Sequence, residues 1–285
     1  MRILTYITAF WIASLAPIWA GGDTITLAST TSTDHSGLFE FILPQFTAQT
    51  GISVRVVAVG TGQALRIARS GDADVLLVHH RPSEDAFIKE GYGIERRDVM
   101  FNQFIILGPM NDPAGVKDAH TAAEALALIA QSESKFASRG DNSGTHLREL
   151  EIWQSAGITP KGAWYQEIGS GMGTTLNFAS AANAYTLSDD GTWTTFRNRG
   201  DLVKVFSGDE ILYNPYGIIL VNPARFAHVK YEAAKIFSDW LASPAGQEAI
   251  GAFIVDGRLA FCPHSASEAR QKSEEYQKTC AANAP

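Results

Sequence analysis

One pattern recurs along most of the chain: an apolar or β-branched run, a loop of Gly, Ser and Thr, then apolar residues at helical spacing. TITLAST (24–30) passes through TSTDHSG into LFEFILPQFTAQTG, and ISVRVVAV (52–59) passes through GTGQ into ALRIARSG. ADVLLVHH (73–80) follows almost at once, and KFASR (135–139) and AWYQEIG (163–169) open further cycles. Buried strands read as continuous apolar runs, and strands alternating with helices predict an α/β architecture with largely parallel sheets. After KFASR, the turn GDNSG leads into a helix expected to carry Leu147, Leu150 and Trp153 on one face.

Two segments break this rhythm. RDVMFNQFIILGPMNDPAG (97–115) and EILYNPYGIILVNPARF (210–226) are long extended runs that end in Gly, Pro and Asn. Lying on either side of a long middle block, they predict two crossings between lobes, with that block forming a second lobe. The expected division is 1–20 for an export signal, 21–107 for the first lobe, 108–215 for the second, and 216–285 for a return to the first lobe with C-terminal helices. The alternative is that both runs are core strands of a single domain. YEAAKIFSDWLASPAGQEAIGAFIV predicts two helices split at Ser243–Pro244, because proline cannot continue a helix.

Composition narrows the class. A length of 285 residues suits two domains or one large one, and 45% apolar with 19% charged residues is ordinary for a globular chain. A net charge of −7 argues against nucleic acid as a partner, which demands clustered basic surface. It also means that an anion must be held by local donors rather than by a global positive field. MRILTYITAFWIASLAPIWA (1–20) has Arg2, an apolar run and the small residue Ala20 before GGD. That is the layout of a secretory signal cleaved after Ala20, with an uncleaved membrane anchor as the alternative. No other segment approaches the length of a membrane span.

Export bears on the cysteines, Cys262 and Cys280. In an exported chain an even count favours a disulfide, worth roughly 3 kcal/mol for a loop of this size. Two free buried thiols would suit a cytosolic chain instead. A metal site is not expected, since only His264 lies near them.

The candidate chemistry sits where strands become helices. STTSTDHSG (29–37), VGTGQ (59–63), SRGDNSGTH (138–146) and GSGMGTT (169–175) each place glycines or small hydroxyls at such a junction. One such loop means only a well-capped helix, but several gathered at one sheet edge predict a shared site. Backbone N–H groups at helix starts bind oxyanions, and small residues let a ligand approach closely. Arg139 adds a guanidinium just ahead of Ser143 and Thr145, so donors outnumber acceptors. The plainer reading pairs Arg139 with Asp141 or Glu149 on the surface. GSGMGTT lacks the full dinucleotide fingerprint, and no Gly-Lys-Ser/Thr is present. His79 and His80 alternate across a strand and cannot share one face for a metal. His146 and Glu149, three apart on a helix, read as a solvated pair. A reading of a different class is an exported α/β hydrolase or transferase that uses Ser143 or His146.

Taken together, STTSTDHSGLFEFILPQF, VRVVAVGTGQAL, GDADVLLVHH, SRGDNSGTH and GSGMGTTLNFASAANAYTLSDDGTW resemble the periplasmic tungstate-binding proteins of ABC importers. The resemblance runs in the family's order through nearly all of the chain after the signal. It implies the two-lobed, type II periplasmic binding protein fold, with an oxyanion held between the lobes. It implies Thr30, Thr31 and Thr61 as ligand-binding residues of the first lobe, and Arg139, Ser143 and Thr145 of the second. Where the family often shows three threonines before a serine, this chain has STTST, with Ser29 in place of the first. The resemblance further implies a periplasmic monomer, neither an enzyme nor a carrier of a cofactor, that passes tungstate to a membrane ABC permease. Tungstate has no proton to donate at neutral pH, so its site needs only donors. Molybdate has almost the same size and charge and is the second expected ligand. Phosphate keeps a proton with a pKa of about 6 and rewards a carboxylate acceptor, a role open to Asp141. Sulfate is smaller and would be under-contacted in a cage sized for tungstate.

Overall fold

A computed structural model describes residues 23–267 and 271–280. The expected export signal lies outside the described residues. In the first part of the chain the predicted alternation is present. Strand β1 (Thr24–Thr30) leads through the short helix α1 (Thr31–His35) into α2 (Leu38–Thr50), β2 (Ser53–Val59) into α3 (Thr61–Arg69), and β3 (Val75–Val78) into α4 (Arg81–Lys89). Strands β2, β1 and β3 lie side by side and parallel, which gathers their C-terminal ends at one edge of the sheet.

The next strand departs from the parallel expectation. β4 (Gly93–Pro109) is followed by α5 (Ala122–Gln131), β5 (Phe136–Ser138), α6 (Gly144–Ser155), β6 (Tyr165–Glu167), α7 (Met172–Ala182), β7 (Thr186–Asp189), α8 (Asp190–Thr195), β8 (Leu202–Phe206) and β9 (Tyr213–Val221). The first part of β4, as far as Gln103, pairs antiparallel with β9, and β9 pairs antiparallel with β3. From Phe104 onward β4 pairs instead with β7 and β8, also antiparallel. A strand that leaves one sheet to enter another needs a return strand running the opposite way beside it, and β9 is that strand. The two long extended runs of the sequence are therefore the elements that join the two sheets.

Each sheet is covered on both faces, and strand alternation sorts the residues between them. In the first sheet Val75, Leu77, Ile218 and Leu220 face Phe46 and Phe237, whereas Leu76, Val78, Ile219 and Val221 face Ala64, Leu65 and Phe87. In the second, Phe104, Ile106 and Phe136 pack with Ile129 and Trp153 on one side, and Ile105, Leu107 and Ala137 with Met172 and Leu176 on the other. Helix α6 buries only Trp153 of the three residues singled out on its apolar face. Leu150 is exposed and Leu147 half-buried, while Glu149, Ile152 and Trp153 point inward.

The C-terminal helices α9 (Tyr231–Ala242) and α10 (Pro244–Gly251) split at the predicted place, with Ser243 ending one and capping the next. Cys262 and Cys280 are bonded. Cys262 sits in a short strand opposite Phe101 of β4, so the bond ties the end of the described chain to the first sheet. Among the described residues no helix is long and apolar enough to cross a membrane.

Candidate functional site

The junction loops meet. Thr30 lies opposite Val59 in the β1–β2 ladder, so the loop after β1 and the start of α3 share one sheet edge. The loop ahead of α6 closes onto α3: the Gly144 amide donates to Thr61 Oγ1 at 3.0 Å, and the Gly62 amide to the Asn142 carbonyl at 3.3 Å. The loop ahead of α7 is tied in turn to Arg139, whose carbonyl accepts the Ser170 amide at 3.3 Å. Helices α3 and α7 start after Gly60 and Gly171, and no side chain caps either one. Apart from the Gly62 amide, their first-turn amides have no side-chain cap.

Of the predicted site residues, Thr61, Arg139, Ser143 and Thr145 are brought together and are all buried. Ser143 caps α6, its hydroxyl accepting the His146 amide at 3.3 Å. Thr30 is buried and caps α1, sharing a hydrogen bond of 2.8 Å with the Thr33 hydroxyl. Thr31, the first residue of α1, is half-buried. Thr30 and Thr31 share the sheet edge with Thr61, but among the described residues no hydrogen bond joins them to the Arg139 loop. Ser29 is committed to the sheet, donating to the Leu77 carbonyl at 2.7 Å.

Arg139 makes the ion pair of the plainer reading, Nη2 donating to Asp141 Oδ2 at 2.6 Å, yet it is only 3% exposed. This is not a surface pair. The Arg139 Nε and the Thr145 hydroxyl are buried with no hydrogen-bond partner among the described residues. Buried donors left unpaired are rare enough to need a reason. Two nearby carboxylates, Asp141 and Asp189, by contrast have a partner on each oxygen. Asp141 Oδ1 accepts the Ser143 amide at 3.1 Å, which with Arg139 occupies both oxygens. Asp189, buried and within electrostatic reach of Arg139, takes the Thr192 amide on Oδ1 at 2.8 Å and the Thr192 hydroxyl on Oδ2 at 2.7 Å. Burial raises the pKa of Asp189 against the opposing pull of these bonds and of Arg139. The arrangement suits a guest that accepts hydrogen bonds and donates none.

His146 and Glu149 are not the solvated pair expected of them. His146 is buried, and its Nδ1 accepts the Asn142 amide at 3.1 Å. Glu149 is buried beneath the site, receiving the Trp153 indole N–H at 3.2 Å and the Tyr165 hydroxyl at 2.8 Å. Burial pushes its pKa up to about 7. His79 is buried as well, and burial lowers its pKa to about 4. Asp189 was not singled out in the sequence, and the burial of Glu149 and His79 was not foreseen there, although Trp153 four residues after Glu149 was a usable signal for an indole donor on the same helix face. Among the described residues no group of three His, Cys, Asp or Glu side chains is placed to hold a metal ion.

A family model described as a PBP superfamily domain matches residues 16–245. The chain belongs to the PBP superfamily. The tungstate-binding protein TupA of Peptoclostridium acidaminophilum is 45% identical to it over 246 residues, which is 85% of this chain and 86% of that protein. Among solved structures, the tungstate ABC transporter structure from Geobacter sulfurreducens matches with a TM-score of 0.75 at 49% identity, over 81% of this chain and 98% of that one. The tungstate-binding protein TupA from Desulfovibrio alaskensis G20 matches with a TM-score of 0.74 at 43% identity, over 86% and 100% of the two chains. The fold of this PBP chain is accordingly the two-lobed, type II form, with β4 pairing first beside β9 and then with β7 and β8.

Proposed function

We propose that this PBP-superfamily chain is an exported, periplasmic solute-binding protein that captures tungstate between its lobes and delivers it to a membrane ABC permease. Molybdate is the second ligand. In this reading the protein acts as a monomer without cofactor or catalysis, the lobes divide near residues 107 and 215, and Thr30, Thr31, Thr61, Arg139, Ser143 and Thr145 hold the anion. The observation that carries it is the pair of buried, unpartnered donors, Arg139 Nε on the loop ahead of α6 and Thr145 Oγ1 in its first turn, where Gly144 meets α3. An unsatisfied buried donor costs roughly 1–3 kcal/mol, and a tetrahedral oxyanion would relieve both. The similarity to tungstate-binding proteins supports tungstate as that oxyanion.

Phosphate is disfavoured because both oxygens of Asp141 and of Asp189 already accept hydrogen bonds, which makes either carboxylate a poorer acceptor for its proton. Hydrolysis is disfavoured because the Ser143 hydroxyl and His146 Nδ1 are each turned to a backbone amide rather than to one another. Titration calorimetry with tungstate, molybdate, sulfate and phosphate tests the proposal, alongside a panel of ester and phosphoester substrates. Stoichiometric tungstate binding without turnover is expected. Tighter binding of phosphate or sulfate, or catalytic turnover, would overturn it.

A further inference from the structure

The two histidines at the tip of β3 serve neither a metal nor the anion site described above, yet both meet the same helix of the opposite lobe. The His79 ring lies on the Cα of Gly144: a Cβ built there would be 2.8 Å from ring Cε1 and 3.0 Å from Nε2. Its other contacts hold it in place. The ring stacks on Tyr216 at 4.7 Å, and Nδ1–H donates to Asn214 Oδ1 at 2.9 Å. Asn214 in turn donates through Nδ2 to Asn102 Oδ1 at 2.6 Å, and these two asparagines face each other where β4 and β9 pair. His80 reaches the same helix further along, Nε2–H donating to Glu151 Oε1 at 3.0 Å while Arg148 holds the other oxygen at 2.9 Å. Gly144 and Glu151 are seven residues apart, two turns along one helix face.

The helix so held carries the anion donors. Ser143 and Thr145 flank Gly144, and its amide bonds Thr61 across the cleft. Gly144 is not in the left-handed region, so its backbone does not call for glycine; the approach of the His79 ring does. We propose that His79 and His80 form the seat on which α6 closes, His79 by shape and His80 by its bond to Glu151. They act as positioning residues that set how slowly the anion leaves.

The proposal rests on the oxyanion reading, and its test separates the two. Rapid mixing and equilibrium titration with tungstate would compare wild type, Glu151→Gln, Gly144→Ala and the His79→Ala/Gly144→Ala double variant, each checked for folding by circular dichroism. Glu151→Gln keeps an oxygen for His80 but removes the charge that strengthens the bond, and should raise the release rate by about 2- to 5-fold while leaving capture within about twofold, because interface changes act mainly on dissociation. Gly144→Ala should weaken binding by at least about 10-fold, since its methyl group meets the ring, and the double variant should recover part of that loss by making room. An unchanged release rate in Glu151→Gln together with unchanged affinity in folded Gly144→Ala would overturn the seat. If wild type binds one of the other three anions instead, the tungstate reading falls and the same series is run with that anion. If it binds none, small-angle scattering decides: a more extended Gly144→Ala particle supports the seat, and identical profiles reject it.

Discussion

Arg139 and Glu149 are both buried near the loop ahead of α6, and each makes a different demand on the structure. If Arg139 holds the anion, Arg139→Lys keeps a charge but loses the planar fork that can meet two oxygens. Tungstate affinity should fall but survive in that variant, and should nearly vanish in Arg139→Glu, with both proteins folded by circular dichroism. Unchanged affinity in a folded Arg139→Glu protein would remove the residue from the site. Glu149 makes a prediction about stability instead. Its native pKa is raised from 4.5 to about 7. Between those values the native state keeps a proton that the unfolded chain releases, so stability falls as pH rises through the window and levels off above it. Glu149→Gln keeps an acceptor for Trp153 and Tyr165 without that titration, and should be more stable than wild type at pH 8 by about 2–4 kcal/mol. The gain should disappear near pH 4.5, and parallel urea-unfolding series at both pH values would contradict the assignment. The small hydroxyls and Arg139 were legible in the sequence because their residue types announce donors. The burial of Glu149 was not, because Tyr165 and the strand that carries it come from elsewhere in the chain.

At the level of elements, the boundaries set by local chemistry were the readable ones. β1 matches its predicted span, and the helix break at Ser243–Pro244 follows from proline's missing donor. That break has a tight corner beyond it. A Cβ on Gly246 would fall on the Trp240 carbonyl and against Leu241 Cα, so α10 crosses the end of α9 with no room for a methyl group. Gly246→Ala should destabilise the fold by about 1–3 kcal/mol in urea unfolding, despite alanine's better helix propensity. An equal or higher midpoint would show that the corner yields. What the sequence hid was choice of partner. The TLSD strand β7 is too short to announce itself, and the apolar pattern of Leu147, Leu150 and Trp153 competed with a second face of the same helix. Which face turned inward was decided by Phe136 and Tyr165, whose rings pack on Trp153.

For the whole molecule, an anion held by donors from both lobes, as proposed, should draw the lobes together. Small-angle scattering should show a more compact particle with saturating tungstate, and identical profiles from an open apo form would count against that motion. The disulfide acts on a different part of the structure. Removing it as Cys262→Ser/Cys280→Ser should lower stability by roughly 2–4 kcal/mol, read from denaturant midpoints, with tungstate affinity unchanged because the bond pins the chain end to β4 away from the cleft. A lost affinity in the folded variant would tie the bond to the site instead. The strand shared by both sheets also dictates an order of events as the chain folds. The stretch from Phe104 to Leu212 is continuous and pairs within itself and the end of β4, whereas the first sheet is incomplete until β9 arrives beside β3 and β4. Contacts between segments distant in sequence form late, because the intervening loop must first be closed. Until then β3, apolar along its whole length, has one bare edge open to other chains. A newly made molecule is therefore most prone to aggregate in the interval before β9 docks, and pulse-labelled hydrogen exchange should find Ile105–Leu107 protected ahead of Ile218–Leu220.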